Sequence, residues 1–322
     1  MRYRLWVIAL LGACVVMPVQ ARKKKKKKEE AAQPVMVVQQ VPVPVMINGP
    51  MGFANVLNPE IPETVNFGGE VIAIDDYDKF ERLDRELTSM AYTHGNTLLQ
   101  MKRANRYFPQ LAPILEKNGV PCDLLYLACI ESTLNPVAVS PAKAAGLWQF
   151  MPETARQYGL EVNEYVDERM DPVKATEAAC RYLKQSYKKY GNWESAAAAY
   201  NAGQGRISRE LAGQGQTTAF NLWLPEETMR YMFRLLATKL VMENPEQYGF
   251  SLGEEQLYPA IEYRVVKVSE PVADWIQWAK DYGTTYYLLR RHNPWIRNKS
   301  LPNASGKTYE VLIPTDESMK RK

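Results

Sequence analysis

Apolar residues recur at intervals of three and four over much of this chain, which is the spacing of one buried face of an α-helix. From about Asp75 this pattern predicts a first helix. His94 and Gly95 interrupt it, and a second helix is predicted over residues 96–118, which end in an Asn-Gly stop signal. The N-terminal part of the ordered chain is therefore expected to be helical.

A shorter apolar helix is predicted next, and it ends in a carboxylate. Pro121 suits the first turn of a helix, and the run LLYLACI supplies an apolar face. Asn135 and Pro136 prevent the helix from continuing far beyond Glu131. The sequence therefore places Glu131 at the end of this helix.

Four more helices are predicted downstream, each with its own start or stop residue. They cover residues 152–159, 171–190, 192–203 and 225–244. Asp171 and Asn192 are typical N-caps. Four successive alanines at 196–199 allow neighbouring helices to approach closely. After Gly249 the pattern changes to a strand at 263–268, a helical stretch at 271–282 and a second strand at 309–314. The sequence thus predicts a mainly α fold with a small C-terminal α+β module.

The first 64 residues differ in character from the rest of the chain. Residues 1–21 combine two arginines, an apolar run and a small-residue end, which predicts a signal peptide. The alternative is a lipoprotein signal, with a lipid attached at Cys14 after cleavage before it. Residues 22–64 are predicted to be a basic tail and a Pro-rich disordered linker. Either signal exports the protein, so we expect it in the periplasm or cell envelope of a bacterium, and the lipoprotein alternative would anchor it to the outer membrane.

The charge of the chain gives no indication of a nucleic-acid partner. The formal net charge is +4, of which residues 1–21 contribute +2 and residues 22–30 contribute +5. Residues 31–322 therefore carry −3. A body close to neutral lacks the basic surface that nucleic acids require. The sequence also contains no metal or nucleotide motif, so no cofactor is expected.

Three cysteines remain after the predicted cleavage at residue 21, namely Cys122, Cys129 and Cys180. An odd number leaves at least one unpaired in an oxidising compartment. Their spacing matches no metal site. We expect small buried core residues, with a disulfide between two of them as the alternative.

Glu131 is the strongest candidate for chemistry on the basis of its neighbours. Burial beside Leu127 and Ile130 would disfavour its charged form and raise its pKa, as a general acid requires. The nearby acids Asp123 and Glu153 are explained by helix capping or by exposure to solvent. Without further information, a single Glu is more often an exposed helix-terminal residue.

Two stretches of the sequence resemble a known family. The order ES, NP, A, S, AAGLWQ, MP and TA over residues 131–155 is similar to that of the lytic transglycosylases with a lysozyme-like domain, glycoside hydrolase family 23. AAAAYNAGQGRI at 196–207 resembles the second signature of that family, and LPEETMRYMFRLLATKL is similar to its membrane-bound murein transglycosylase D subgroup. Lys143 stands where many members have Gly, which puts the shape of that loop in question.

The resemblance implies a lysozyme-like catalytic domain at residues 65–250 that acts on peptidoglycan glycan strands. It implies cleavage of the MurNAc-GlcNAc bond with formation of 1,6-anhydro-MurNAc, and Glu131 as acid and then base. By position, Ser140 would orient the substrate acetamido group or the acid, and Gln149 and Met151 would line the sugar subsite. Tyr200 would donate a hydrogen bond to Glu131, and Asn201 would hold a polar group of the glycan.

Residues 251–322 resemble a LysM module, which binds wall glycans, although Ser269, Glu270, Pro271 and Val272 replace its usual Gly-Asp-Thr-Leu. The alternative is a capping module specific to the family. If the segment is a binding module, truncation after about residue 250 should leave cleavage of soluble glycans intact. Two alternative functions remain open: a hydrolytic muramidase on the same fold, which needs a second carboxylate, and a non-catalytic peptidoglycan-binding protein.

Overall fold

The computed structural model describes residues 58–320. The predicted signal peptide, Cys14, the basic tail and most of the predicted linker lie outside the described residues. Pro59 is buried and Ile61 packs against the core, so packing begins within the last residues assigned to the linker. No helix within residues 58–320 is long and apolar enough to cross a membrane.

A short β-hairpin opens the described chain, and it was not predicted. Strands β1 (Thr64–Phe67) and β2 (Glu70–Ala73) pair antiparallel through a Gly68-Gly69 turn. Both glycines have positive φ, of 63° and 84°, as a tight hairpin turn requires. Val65 and Phe67 point into the core, so the hairpin covers one side of the helical domain.

Two long helices follow, α1 (Tyr77–Tyr92) and α2 (His94–Lys117). Thr93 is the one residue between them, so the prediction that His94 and Gly95 interrupt the helices is wrong by one residue. The Asp76 side chain accepts the Lys79 N–H and caps α1. A 3₁₀ turn at Cys122–Leu124 then leads into α3 (Leu125–Ser132), which ends where the sequence predicted.

Helices α4 (Pro152–Gln157), α5 (Pro172–Tyr190) and α6 (Trp193–Ala202) also follow the prediction. Asp171 and Asn192 cap α5 and α6 through side-chain hydrogen bonds. The alanines at 196–199 are fully buried, as close helix packing requires. Helix α7 (Gln204–Gly213) was not predicted, whereas α8 (Glu226–Glu243) was.

The C-terminal module contains strands β3 (Tyr263–Val268) and β4 (Tyr309–Pro314), paired antiparallel, with helices α9 (Trp275–Asp281) and α10 (Tyr286–His292) between them. A last short helix is α11 (Asp316–Met319). The predicted mainly α fold with a small C-terminal strand-helix module is confirmed.

The core of this module includes a residue from the helical domain. Val166, in the segment between α4 and α5, is fully buried in the apolar cluster of the module and bridges Ile296. Asp167 N–H donates to the Trp295 carbonyl at 2.8 Å, and Arg297 N–H donates to the Tyr165 carbonyl at 2.8 Å. The module is therefore joined to the helical domain by shared core as well as by the chain.

The three cysteines are buried and unpaired, so the expectation of buried core residues is confirmed. Burial raises the pKa of the Cys122 and Cys180 thiols to about 12. These thiols are consequently protonated at neutral pH and unreactive as nucleophiles.

Candidate active site

Glu131 lies in the last turn of α3, and the chain turns sharply after it. Thr133 and Leu134 both adopt left-handed conformations with φ of 53°. The Ser132 hydroxyl is 3.1 Å from the Ala128 carbonyl and 2.9 Å from the Leu147 carbonyl. These contacts fix the helix end against the following loop.

The Glu131 carboxylate is partly buried and has one hydrogen-bond partner among residues 58–320. The Tyr231 hydroxyl, from the buried face of α8, donates to Glu131 Oε1 at 2.8 Å. Burial raises the pKa of Glu131 to about 7, although the Tyr231 hydrogen bond lowers it and the Glu227 charge raises it to smaller extents. Since this pKa lies near neutrality, the group can donate a proton and later accept one.

Tyr200 occupies a different position from the one predicted. Its hydroxyl donates to the Trp148 carbonyl at 2.7 Å, and its ring packs edge-on against Trp148 and Phe150. The predicted hydrogen bond from Tyr200 to Glu131 is therefore wrong, because Tyr231 makes it instead. Burial raises the pKa of Tyr200, and the Glu131 charge raises it further.

Three predicted site residues lie on the loop 138–151. Ser140 Oγ accepts the Ala144 N–H at 3.0 Å, and Gln149 Nε2 donates to the Gly146 carbonyl at 2.8 Å and to the Ala138 carbonyl at 3.2 Å. Both side chains therefore shape the loop itself. Met151 is 44% exposed at the start of α4 and is free to contact a ligand.

Three residues of the same loop, Lys143, Gly146 and Gln149, have positive φ. Lys143 has φ of 69°, so the loop keeps the left-handed conformation that Gly would favour, even with Lys at that position. Gly146 has φ of 83°, and a Cβ atom there would lie 1.7 Å from the Arg169 carbonyl oxygen. Only glycine fits at 146, because the loop and the segment before α5 approach so closely.

Arg169 holds the two sides of this loop together. Its Nη1 donates to the Lys143 carbonyl at 2.8 Å and to the Phe150 carbonyl at 3.0 Å. Its Nε and Nη2 each bind one Asp167 oxygen at 2.8 Å. Arg297 of the C-terminal module also reaches Asp167 Oδ2, at 3.2 Å. A chain of polar contacts thus links the module to the loop.

Asn201 is the last of the predicted site residues. The Asn201 side chain, near the end of α6, makes no hydrogen bond to the described residues. Trp148 is fully buried under the loop and donates from Nε1 to Thr176 Oγ1 at 2.8 Å. Residues 58–320 include no cluster of His, Cys, Asp and Glu suited to a metal ion.

Three other carboxylates, those of Asp123, Glu153 and Glu227, were compared with Glu131 as candidates for a second acid. Asp123 is buried, where it binds Lys239 Nζ at 2.9 Å and the Gly68 N–H at 2.7 Å, so it is structural and not exposed to solvent. Glu153 is exposed and pairs with Arg156. Glu227, in the exposed first turn of α8, is the acid whose charge raises the pKa of Glu131.

Sequence reasoning missed Tyr231 and Arg169. Tyr231 lies inside the stretch LPEETMRYMFRLLATKL, and its place on the apolar face of α8 was the available signal. Nothing in the local pattern around Arg169 indicated burial, since its partners Lys143 and Phe150 are distant in sequence.

Comparisons with known proteins identify two domains in the chain. Residues 110–222 match the family model of the transglycosylase SLT domain, and residues 264–317 match that of the soluble lytic transglycosylase C-terminal LysM-like domain. Membrane-bound lytic murein transglycosylase D of Escherichia coli (strain K12) is 33% identical over 239 residues, which are 73% of this chain and 51% of that protein.

Membrane-bound lytic murein transglycosylase C of Histophilus somni (strain 2336) is 28% identical over 184 residues, 52% of this chain and 48% of that protein. The chain thus spans about half the length of these curated relatives. The crystal structure of the 70 kDa soluble lytic transglycosylase of Escherichia coli aligns with a TM-score of 0.39 and 20% identity, over 55% of this chain and 33% of that one. The chain contains a transglycosylase SLT domain, followed by a LysM-like domain of the type found at the C-terminus of soluble lytic transglycosylases.

Proposed function

We propose that this protein is a lytic transglycosylase that cleaves the β-1,4 bond between MurNAc and GlcNAc in peptidoglycan and leaves a 1,6-anhydro-MurNAc end. The observation that carries the proposal is Glu131, a partly buried acid with a pKa raised to about 7 and held by Tyr231 at the end of α3. The SLT domain match and the names of the relatives support the same reaction class.

The first step is protonation of the glycosidic oxygen by Glu131. Burial keeps a substantial fraction of this carboxyl protonated near neutral pH, so it can act as a general acid. The C1–O bond breaks as the proton is transferred, and the acetamido group of the MurNAc ring stabilises the positive charge at C1.

In the second step the Glu131 carboxylate acts as a base. It takes the proton from the C6 hydroxyl of the same MurNAc, whose oxygen attacks C1 and closes the 1,6-anhydro ring. Glu131 regains its proton and no water is consumed. Because the nucleophile belongs to the same ring, its effective concentration is high, which favours intramolecular attack.

Tyr231 positions the acid in this scheme. Its hydroxyl occupies Glu131 Oε1, so Oε2 is the oxygen that exchanges protons with the glycan. A hydrogen bond to the charged form also stabilises the carboxylate that exists between the two steps. Ser140, Gln149, Met151, Tyr200 and Asn201 would shape the sugar subsites, with Ser140 and Gln149 acting through the loop that they hold.

Glu227 supports a second candidate function, a hydrolytic muramidase. Hydrolysis needs a second carboxylate to activate water. Glu227 is considered for that role because its charge contributes to raising the pKa of Glu131. Glu227 is exposed in the first turn of α8 and makes no hydrogen bond to the described residues, so its carboxylate is not held in one position for water activation, which favours the transglycosylase reaction.

The proposed substrate implies that the protein acts in the cell envelope. Peptidoglycan strands lie in the cell envelope, to which the predicted signal peptide at 1–21 would export the chain. The basic tail or a lipid at Cys14 would hold it near a membrane.

The function is tested by digesting peptidoglycan sacculi with wild-type protein and with Glu131→Gln. The variant should keep the fold and lose nearly all release of soluble fragments, since a positioned acid/base contributes about 10²–10⁴-fold. Glu153→Gln is the matched control, because Glu153 is an exposed carboxylate paired with Arg156. Activity of Glu131→Gln above about a tenth of wild type contradicts the assignment and, with intact sacculus binding, supports a non-catalytic binding protein.

A further inference from the structure

A cleft lies beside the candidate active site, between the helical domain and the C-terminal module. It has a volume of about 550 Å³. Helix α2, the turn 134–137 after Glu131, and the end of α10 form its walls. Three arginines line it: Arg103 and Arg106 from α2, and Arg291 from α10.

These three arginines form no ion pair with any residue in 58–320. Arg103 Nη1 donates to the Thr133 carbonyl at 2.8 Å, and Arg106 Nε donates to the Pro259 carbonyl at 3.1 Å. Arg291 is exposed and makes no hydrogen bond to the described residues. Since neutral carbonyls leave the guanidinium charge uncompensated, the cleft is positive.

The one acid in the cleft wall does not cancel this charge. Asp171 uses Oδ1 to accept the Val173 and Lys174 N–H groups at the start of α5. The neighbouring His292 adds no charge at neutral pH, because burial and then the charges of Arg291 and Arg106 lower its pKa to about 4. Above that pH the positive charge of the cleft therefore comes from the arginines alone and does not change with pH.

We propose that this cleft binds the carboxylates of an acidic peptide, the stem peptide that peptidoglycan carries on its MurNAc residues. This inference rests on the proposed function. Arg103 is bonded to the carbonyl of Thr133, two residues after Glu131, so the cleft begins where the helix of the acid ends. The stem of a MurNAc bound at Glu131 would extend into it.

Arginine suits this ligand because its planar fork of N–H donors matches a carboxylate. Arg291 has the largest unused donor capacity of the three, so it is the best residue to change. Lys280, an exposed cation of α9 in the same module and outside the cleft, provides a matched control with the same loss of charge.

The experiment compares glycan strands that carry stems with strands from which an amidase has removed them. For wild type, the ratio of kcat/KM on stemmed strands to that on stripped strands should exceed one. Arg291→Gln should lower this ratio about ten- to a hundredfold, the size expected for one charged hydrogen bond. Arg291→Lys should lower it less, and Lys280→Gln should leave it at the wild-type value. Added salt should lower the wild-type ratio as well.

The inference is overturned if Arg291→Gln keeps the wild-type ratio, or if Lys280→Gln lowers it equally. A wild-type protein that cleaves neither substrate contradicts the proposed function instead. In that case the cleft is tested alone, by calorimetric titration of a synthetic stem peptide into wild type and Arg291→Gln. Weaker binding to the variant supports the cleft, and equal binding or none refutes it.

Discussion

At the residue scale, the proposed chemistry depends on one hydrogen bond, from the Tyr231 hydroxyl to Glu131 Oε1. Tyr231 and Tyr200 both interact electrostatically with Glu131, but their hydroxyls have different partners, since Tyr200 donates to the Trp148 carbonyl. This difference separates a residue that acts on the acid from one that supports the loop.

Tyr231→Phe removes this hydrogen bond and keeps the ring. Because the bond lowers the pKa of Glu131, its loss should raise that pKa further above its usual value. The basic limb of the kcat/KM profile, which the Glu131 pKa of about 7 predicts near pH 7 for wild type, should then move to higher pH. We expect kcat to fall by about tenfold, a barrier increase of about 1.4 kcal/mol, as measured in steady-state assays across pH.

Tyr200→Phe is the control for this prediction. It should leave the basic limb where wild type has it, because its hydroxyl is not bonded to Glu131. A Tyr231→Phe enzyme with wild-type kcat and an unmoved limb means that the hydroxyl is structural only.

The raised pKa of Glu131 also predicts a dependence of stability on pH. The folded-state pKa of about 7 lies above the unfolded value of 4.5, so the fold favours the protonated acid. Stability from this group is complete below the unfolded pKa and is lost as pH rises through about 7. Glu131→Gln cannot ionise, so its melting temperature should exceed that of wild type above pH 7 and converge with it at acidic pH. Equal melting temperatures above pH 7 contradict this linkage.

At the scale of elements, the site depends on how Arg169 joins the loop 138–151 to the segment before α5. Arg169 is 5% exposed and binds carbonyls on both sides of the loop as well as Asp167. Gly146 lies directly against it. The loop shape therefore depends on a buried cation, which is costly to remove because Asp167 is also buried.

Arg169→Gln should reduce the free energy of unfolding by about 3 kcal/mol, as loss of one partner of a buried ion pair does. It should also raise KM, since Ser140 and Gln149 lie on the released loop. Urea unfolding and steady-state kinetics measure both effects. Arg209→Gln, which removes an exposed arginine 3.6 Å from Glu210, should change neither. The account of the loop is contradicted if Arg169→Gln changes the free energy of unfolding and KM as little as this control does.

Most helices were predictable because strong local signals begin and end them. Asp171 with Pro172 and Asn192 set the starts of α5 and α6 as predicted. The β1–β2 hairpin was missed because its strands are four residues long, although Gly68-Gly69 was a usable turn signal. Helix α7 was missed because Gly205 and the final Gly213 resemble loop residues. The prediction of Glu131 rested on its local pattern and on the family resemblance, whereas Tyr231 and Arg169 contact partners far along the chain.

At the scale of the whole molecule, the C-terminal module is part of the structure that supports the site. Val166 of the helical domain completes the module core, and Lys307 Nζ binds Glu168 at 2.6 Å and Glu161 at 2.9 Å. Arg297 reaches Asp167, which in turn holds Arg169. These contacts change the expectation for truncation that followed from the sequence.

Truncation after residue 250 should lower stability and impair cleavage of soluble glycans, because it exposes Val166 and leaves Asp167 without Arg297. Thermal unfolding and assays on soluble fragments measure this. Arg297→Ala should show a milder form of the same defect, and Arg264→Ala, which removes an arginine bonded within the module, should not. A truncated protein with wild-type melting temperature and activity on soluble fragments would restore the view of an independent binding module.

The central claim is that Glu131 transfers protons in both steps and that no water enters the product. It is tested most directly by a mass spectrum of sacculi digested by the wild-type enzyme in ¹⁸O-labelled water. The account predicts products with a terminal 1,6-anhydro-MurNAc, which are one water lighter than the hydrolytic products and free of ¹⁸O. Products of full hydrolytic mass that carry ¹⁸O at C1 would contradict it and assign the enzyme as a muramidase.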